Sequence, residues 1–116
     1  MGSRVHLMVD CHGVPESVCL DDRRLLECVT HACNEVGANV LGTARYRFGH
    51  DSPPGCAVFA MLDESHVSMH TYAEEQTLAL DIFTCSSSYG PDDILSYLVS
   101  RLPLGDLSIR RHDRFK

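Results

Sequence analysis

The sequence lacks the features that mark several other classes of protein. Its longest uninterrupted apolar run is the seven residues 56–62, whereas a membrane-spanning helix needs about 20. Residues 1–10 contain no long apolar stretch, so we expect no secretory signal. Lys and Arg number only 10 against 16 Asp and Glu, the reverse of the balance in most nucleic-acid binders. We therefore expect no membrane and no nucleic-acid partner.

The sequence also lacks repeats, low-complexity blocks and linkers. Its 116 residues are 44% hydrophobic and 22% charged, close to the average for a globular protein. This length fits one compact domain spanning residues 1–116.

No C-x-x-C motif occurs, although the chain has six cysteines, at positions 11, 19, 28, 33, 56 and 85. A disulfide scaffold is conceivable, but without a secretory signal nothing indicates an oxidising compartment. We expect most of these thiols to be buried and to behave as small hydrophobic side chains. Cys85 is considered separately below.

Hydrophobic spacing predicts a strand and then a helix in the first third of the chain. Residues 4–11 alternate between apolar and polar, as in a half-buried strand. Asp21 or Asp22 can cap the helix and Gly37 can end it. Its apolar positions recur at helical spacing: Leu25, Val29, Ala32 and Val36.

The remaining chain predicts five more strands and one more helix. Strands are predicted near residues 40–48, 56–62, 66–72 and 78–85, a helix from Pro91, and a last strand around Leu107 and Ile109. Because residues 56–62 are continuously apolar, we expect that strand to be covered on both faces.

The predicted element order is β-α-β-β-β-β-α-β. Hairpin-like succession makes the sheet largely antiparallel, and the fold class is an α+β two-layer sandwich. Two helices cover one face of the sheet. The other face is then either solvated or buried against another chain.

Residues 63–85 carry the titratable side chains that suggest chemistry. Alternation places His66, Ser68, His70 and Tyr72 on one face of a strand. A hairpin with the next strand could bring Cys85 near this face. Three interpretations are open from the residues alone: solvated histidines, a zinc site of His66, His70 and Cys85, or a Cys/His nucleophile pair.

This segment resembles the core motif of the prokaryotic S-adenosylmethionine decarboxylase family. Members typically show Glu-Ser-His, then Ser/Thr-Ile-His-Thr-Trp-Pro-Glu, then Asp-x-Phe-Thr-Cys-Gly. The matching residues here are Glu64, Ser65, His66, Ser68, His70, Thr71, Glu74, Asp81, Phe83, Thr84 and Cys85. The resemblance implies a cytoplasmic proenzyme with an α+β sandwich fold that forms a homodimer.

The resemblance also implies the catalytic group. The chain would cleave itself between Glu64 and Ser65, giving chains 1–64 and 65–116, with Ser65 converted to a covalent pyruvoyl cofactor. Its ketone would condense with the substrate amine and accept the electrons that departing carbon dioxide leaves behind. His70 would assist cleavage as a base and Cys85 would return a proton to the substrate. No metal is implied.

The resemblance assigns substrate contacts to three further residues. Glu74 aligns with a glutamate that holds the ribose hydroxyls, Phe48 aligns with an aromatic residue that stacks on adenine, and Tyr72 lies near the ligand. The implied activity is decarboxylation of S-adenosylmethionine, which supplies the aminopropyl donor for spermidine and other polyamines.

Two other functions fit the same residues. One is a pyruvoyl-dependent decarboxylase of arginine or ornithine, because Tyr72-Ala73 replaces the usual Trp-Pro and the loop after Phe48 is longer than usual. The other is a homologue that neither cleaves nor catalyses. It is suggested by Ala57, which stands where members carry a serine or threonine that assists processing.

Overall fold

A computed structural model describes residues 3–116 of the chain. The elements in chain order are β1 (Val5–His12), α1 (Glu16–Cys19), α2 (Asp22–Glu35), β2 (Val40–Phe48), β3 (Gly55–Leu62), β4 (Ser65–Tyr72), β5 (Thr77–Thr84), α3 (Pro91–Arg101) and β6 (Asp106–Asp113). Within residues 3–116, none of the helices has the length and apolar character that crossing a membrane requires.

The six strands form one sheet in the order β2-β3-β4-β5-β1-β6, and every neighbouring pair is antiparallel. The helices pack on one face, here called the inner face, and share a single hydrophobic core with it. The opposite face is called the outer face. The predicted α+β two-layer sandwich is confirmed.

The helix count was too low by one. The short helix α1 lies between β1 and α2, where the hydrophobic spacing predicts no element. Its four residues are too few to show a helical repeat of apolar positions. The backbone carbonyl of Cys19, its last residue, accepts hydrogen bonds from Cys56 and Thr71, which fixes α1 to the inner face.

The longer helices begin and end where their capping residues indicate. The carboxylate of Asp21 accepts the backbone N–H of Arg24 at 3.1 Å, so Asp21 is the N-cap of α2. Gly37 follows α2 with a φ of 84°, a left-handed conformation that glycine adopts without strain. Pro91 opens α3, and the Asp93 carboxylate accepts the N–H of Gly90.

The inner face is built by strict alternation along the strands. In β1 the side chains of Val5, Leu7, Val9 and Cys11 are buried, as predicted. Five cysteines are buried free thiols, which confirms that expectation, and only Cys85 is partly exposed. Burial raises the pKa of Cys11 and of Cys33 to about 11, so both thiols stay protonated.

The prediction that strand 56–62 is covered on both faces is wrong for the single chain. Phe59 and Met61 point to the outer face and are 39% and 49% exposed. Tyr46 and Tyr72 on neighbouring strands are exposed as well. The apolar run in β3 thus includes side chains that this chain alone leaves in contact with water.

Candidate active site

Ser65 is the first residue of β4 and follows a two-residue turn. Asp63 and Glu64 form that turn between β3 and β4, since Leu62 pairs with Ser65. Glu64 has a φ of 57°, a left-handed conformation that costs a residue with a Cβ roughly 1 kcal/mol. The Ser65 side chain is buried, and its hydroxyl lies within hydrogen-bonding distance of Cys85.

Cys85 meets Ser65 through its backbone. The Cys85 N–H donates to the Ser65 Oγ at 3.2 Å, immediately after β5 ends at Thr84. The contact therefore depends on the β4–β5 register and not on the Cys85 side chain. The partly exposed thiol is left available for other chemistry.

A cavity of about 300 Å³ lies beside this turn. Its walls include Asn39, Asp63, Glu64, Cys85 and Tyr89. We call Asp63, Glu64, Ser65 and Cys85 the turn site. It contains the serine, the peptide bond before it and the cysteine that the sequence predicted to act together.

A second predicted group lies at the other end of β4, on the outer face. The rings of Phe48 and His70 are stacked, with centroids 5.8 Å apart and planes 15° apart. Tyr46 meets the Phe48 ring edge-on at 5.2 Å. Phe48, His70 and Tyr72 line an apolar cavity of about 270 Å³, which we call the aromatic pocket.

The loop between β2 and β3 closes one side of the aromatic pocket. Ser52 and Pro53 line it, and the Pro54 carbonyl accepts the N–H of Ala73 at 3.1 Å. Gly55 permits this close approach, because a Cβ there would lie 2.2 Å from the Thr71 carbonyl oxygen. Glu74 is exposed in the turn after β4 and is not among the residues that line the aromatic pocket.

The turn site and the aromatic pocket are separate within one chain. His70 pairs with Ala79 of β5, five positions along β4 from Ser65. That separation corresponds to roughly 16 Å along a strand. Ser65 also faces the core while His70 faces outward. The hairpin therefore brings Cys85 to Ser65 and not to His70.

His66 occupies a third environment, on the outer face directly after Ser65. Its ring lies between those of Phe59 and Phe83, at 5.8 and 5.6 Å. Next to it, His6 Nε2 and Asp81 Oδ1 are 3.0 Å apart. Burial, and then the charge of His6, lower the pKa of His66 below its ordinary value of 6.5.

The metal-site alternative fails on geometry. The register separates His66, His70 and Cys85 along β4 and β5. Within residues 3–116, no three His, Cys, Asp or Glu side chains form a group that could hold a metal ion.

Sequence reasoning did not identify Asn39, whose side chain contacts the turn site. The Asn39 Nδ2 donates to the Asp63 carboxylate at 3.0 Å. Asn39 follows a helix-stop glycine and precedes a strand, a position that predicts a connecting loop and nothing more. No sequence signal pairs residues so far apart along the chain.

Comparison with known proteins places these motifs in a family. A profile of the S-adenosylmethionine decarboxylase family matches residues 5–115. An S-adenosylmethionine decarboxylase proenzyme 2 from Bacillus anthracis is 39% identical over 107 residues, covering 91% of this chain and 84% of that protein. A proenzyme of the same name, without the numeral, from Pyrobaculum neutrophilum is 32% identical over 97 residues, covering 84% and 77%.

The fold has a matching solved structure. The crystal structure of the adenosylmethionine decarboxylase from Aquifex aeolicus superposes with a TM-score of 0.84, covering 97% of this chain and 91% of that one at 20% identity. At that identity the likeness concerns the fold. Together with the profile match across residues 5–115, the sequence relatives show that this chain belongs to the S-adenosylmethionine decarboxylase family.

Proposed function

We propose that the chain cleaves itself between Glu64 and Ser65 and then decarboxylates S-adenosylmethionine in the cytoplasm, supplying the aminopropyl donor for spermidine synthesis. The observation that carries this proposal is the turn site. There, a left-handed Glu64 precedes a buried serine whose hydroxyl is held by the Cys85 N–H. The names of the relatives support the substrate and the proenzyme form.

Self-cleavage begins with the Ser65 hydroxyl. Its Oγ attacks the Glu64 carbonyl carbon, the peptide C–N bond breaks, and the nitrogen takes up a proton, which leaves an ester. A base then removes the Ser65 Cα proton and the Cβ–Oγ bond breaks. Glu64 departs as a new carboxylate and dehydroalanine remains. Hydrolysis releases ammonia and leaves a pyruvoyl group at residue 65.

The residues of the turn site fit a pyruvoyl group at this position. Ser65 is a strand terminus beside a cavity, so the new N-terminal group has a place for substrate next to it. When formed, the group supplies an electron sink for the carboxylate-bearing carbon. The Cys85 thiol borders the same cavity and is the proton donor to the substrate α-carbon.

The base for the elimination step comes from a second chain. Within one chain His70 lies five positions along β4 from Ser65, which is too far for its ring to reach the Ser65 Cα proton. A second copy packed on the outer face can supply the missing group. The exposed apolar side chains of that face support a copy of this chain as the partner: Tyr46, Phe59, Met61 and Tyr72.

Symmetry accounts for the placement of both groups in such a homodimer. In this homodimer, a two-fold axis lies between the two sheets. It runs perpendicular to the strands and crosses them near the middle of β4, so the strands of the second copy run in the opposite direction. The His70 end of one β4 then faces the Ser65 end of the other. Phe48 and Tyr72 accompany His70, and Glu74 follows them in the next turn. The aromatic pocket of one chain thereby contributes the adenosine contacts to the turn site of its partner.

Intact mass under denaturing conditions tests the cleavage. The purified wild-type protein should give two chains, 1–64 and a pyruvoyl-blocked 65–116. Ser65→Ala should give one uncleaved chain without activity, because the attacking hydroxyl is gone. Ser100→Ala is the matched control: its serine is exposed on α3, and cleavage should be unchanged.

Carbon dioxide release from S-adenosylmethionine, ornithine and arginine then tests the substrate. Activity on S-adenosylmethionine alone supports the proposal. Activity on ornithine or arginine alone would leave the cleavage chemistry intact and overturn the substrate. A wild-type protein that remains one chain would make it a non-catalytic homologue, the case that Ala57 suggested.

A further inference from the structure

The turn that contains the bond to be cleaved has an unfavourable backbone. Glu64, the second residue of the turn, is left-handed and is not a glycine. A backbone conformation with negative φ at Glu64 would be lower in energy by roughly 1 kcal/mol. The observed conformation therefore depends on contacts from outside the turn.

Asn39 supplies two of these contacts. Its side-chain Nδ2 donates to Asp63 Oδ2 at 3.0 Å, and its backbone carbonyl accepts the Asp63 N–H at 3.2 Å. Both reach the first residue of the turn, directly before Glu64. One residue thus holds the main chain and the side chain of Asp63 together.

Asn39 is itself held in place by the end of α2. The N–H of Ala38 donates to the Cys33 carbonyl at 2.9 Å, and the N–H of Gly37 donates to that of Asn34 at 3.1 Å. After Asn39, the pairing of β2 with β3 skips Leu41. Asn39 therefore sits on a short fixed segment between a helix and a strand.

Ser65 is held on the other side of the scissile bond. The Cys85 N–H contacts its Oγ, so both flanks of Glu64 are anchored. Attack requires the Oγ to stay aligned with the Glu64 carbonyl carbon, and freedom in the turn would reduce the time spent in that arrangement.

We propose that Asn39 is a positioning residue for self-cleavage, which keeps Glu64 in its left-handed conformation through the two contacts of Asn39 with Asp63. This inference rests on the proposed function, since it assigns a further residue to the same reaction. Asn39 acts through Asp63 and does not touch the reacting atoms.

The rate of cleavage tests the inference. The chain is made by cell-free translation, and the cleaved fraction is followed with time for Asn39→Ala, Asn39→Asp, and the exchange Asn39→Asp with Asp63→Asn. A lost hydrogen bond predicts about fivefold slower cleavage for Asn39→Ala. Asn39→Asp should be slower still, because two carboxylates then face each other. The exchange should return the rate to within about twofold of wild type, because it restores an amide–carboxylate pair.

Two readouts separate positioning from loss of fold. Asn34→Ala, which removes an exposed amide side chain and keeps the backbone carbonyl that Gly37 contacts, should leave the cleavage rate unchanged. Asn39→Ala should slow cleavage more than it slows decarboxylation per cleaved chain, because the intact turn no longer exists after the cut. Equal effects on both rates would overturn the inference.

Other outcomes are equally decisive. If Asn39→Ala cleaves as fast as a cleaving wild-type chain, or if the exchange variant stays as slow as Asn39→Asp, Asn39 is not a positioning residue and the proposed function stands. If the wild-type chain itself is not cleaved, the inference and the proposed function fail together.

Discussion

Ser65 and Cys85 are linked through a backbone group, and this has a consequence for mutagenesis. The N–H that holds the Ser65 Oγ belongs to the main chain at residue 85, whatever side chain is there. The thiol is partly exposed beside the cavity and is not needed for that hydrogen bond. In the proposed function, the main chain at this residue serves cleavage and the side chain serves decarboxylation.

Cys85→Ala should therefore separate the two reactions. Cleavage should proceed because the N–H remains, whereas decarboxylation should fall by roughly 100-fold or more because the proton donor is lost. Mass spectrometry gives the cleaved fraction and carbon dioxide release gives turnover per cleaved chain. Cys28→Ala, a thiol on α2 outside this cavity, is the control. Normal turnover in Cys85→Ala would show that another group returns the proton.

At the scale of elements, the alternation of side chains along a strand predicted which face of the sheet each residue occupies. It did not predict which residues of the neighbouring strand lie beside it. It placed His66, Ser68, His70 and Tyr72 together on one side of β4, as found. It could not place Cys85 relative to His70, because that depends on register. The register follows from the four-residue turn 73–76 with Gln76 left-handed at a φ of 54°. A turn of this length places Cys85 beside Ser65 at the start of β4, five positions from His70.

The other features that the sequence did not predict correctly have similar physical causes. The apolar run in β3 fits a strand buried within one chain as well as one that meets a second copy, since periodicity does not distinguish them. The contact of Asn39 with Asp63 joins residues 24 positions apart and depends on how α2 ends. Where local preference decided the outcome, as at the Asp21 cap, the prediction was correct.

The partial burial of His66 predicts a pH dependence of stability. Its pKa is lowered in the folded protein, so the unfolded chain takes up the proton first as pH falls. The free energy of unfolding should be fully retained above about pH 6.5. It should decrease below that pH until His66 is protonated in the folded state as well.

Urea unfolding between pH 7.5 and 5 measures this dependence, in the uncleavable Ser65→Ala background so that one chain refolds. His66→Gln should lose less stability over this range than its parent does. His31→Gln, which removes an exposed histidine on α2, should behave as the parent does. If the free energy of unfolding changes with pH to the same extent in all three proteins, groups other than His66 cause the pH dependence.

At the scale of the whole molecule, the proposed active site belongs to two copies of the chain. The turn site contains the proposed nucleophile and the proposed proton donor, while His70 and the aromatic pocket lie at the opposite end of β4. Each homodimer would then contain two such sites, each drawing on both chains. A chain inactivated at Ser65 and a chain inactivated at His70 should therefore form a cleaving dimer when they are combined.

Co-expression of differently tagged Ser65→Ala and His70→Ala chains tests this arrangement. Neither should be cleaved when made alone. Together, about half of the His70→Ala chains should be cleaved, since random pairing gives that share a partner with an intact His70. A Ser65→Ala/His70→Ala double variant as partner should give no rescue. Cleavage of His70→Ala made alone would remove His70 from the reaction.

The strand order also bears on whether the molecule could refold after the proposed cleavage. A cut after Glu64 assigns β1, β2 and β3 to one fragment and β4, β5 and β6 to the other. In the order β2-β3-β4-β5-β1-β6 the fragments interleave, and three of the five strand pairings join one fragment to the other. The cut protein would hold together in its native state, but a heat-denatured sample would have to find its partners by collision. Its lifetime would then be set by its rate of unfolding, with the uncut precursor as the form that folds efficiently.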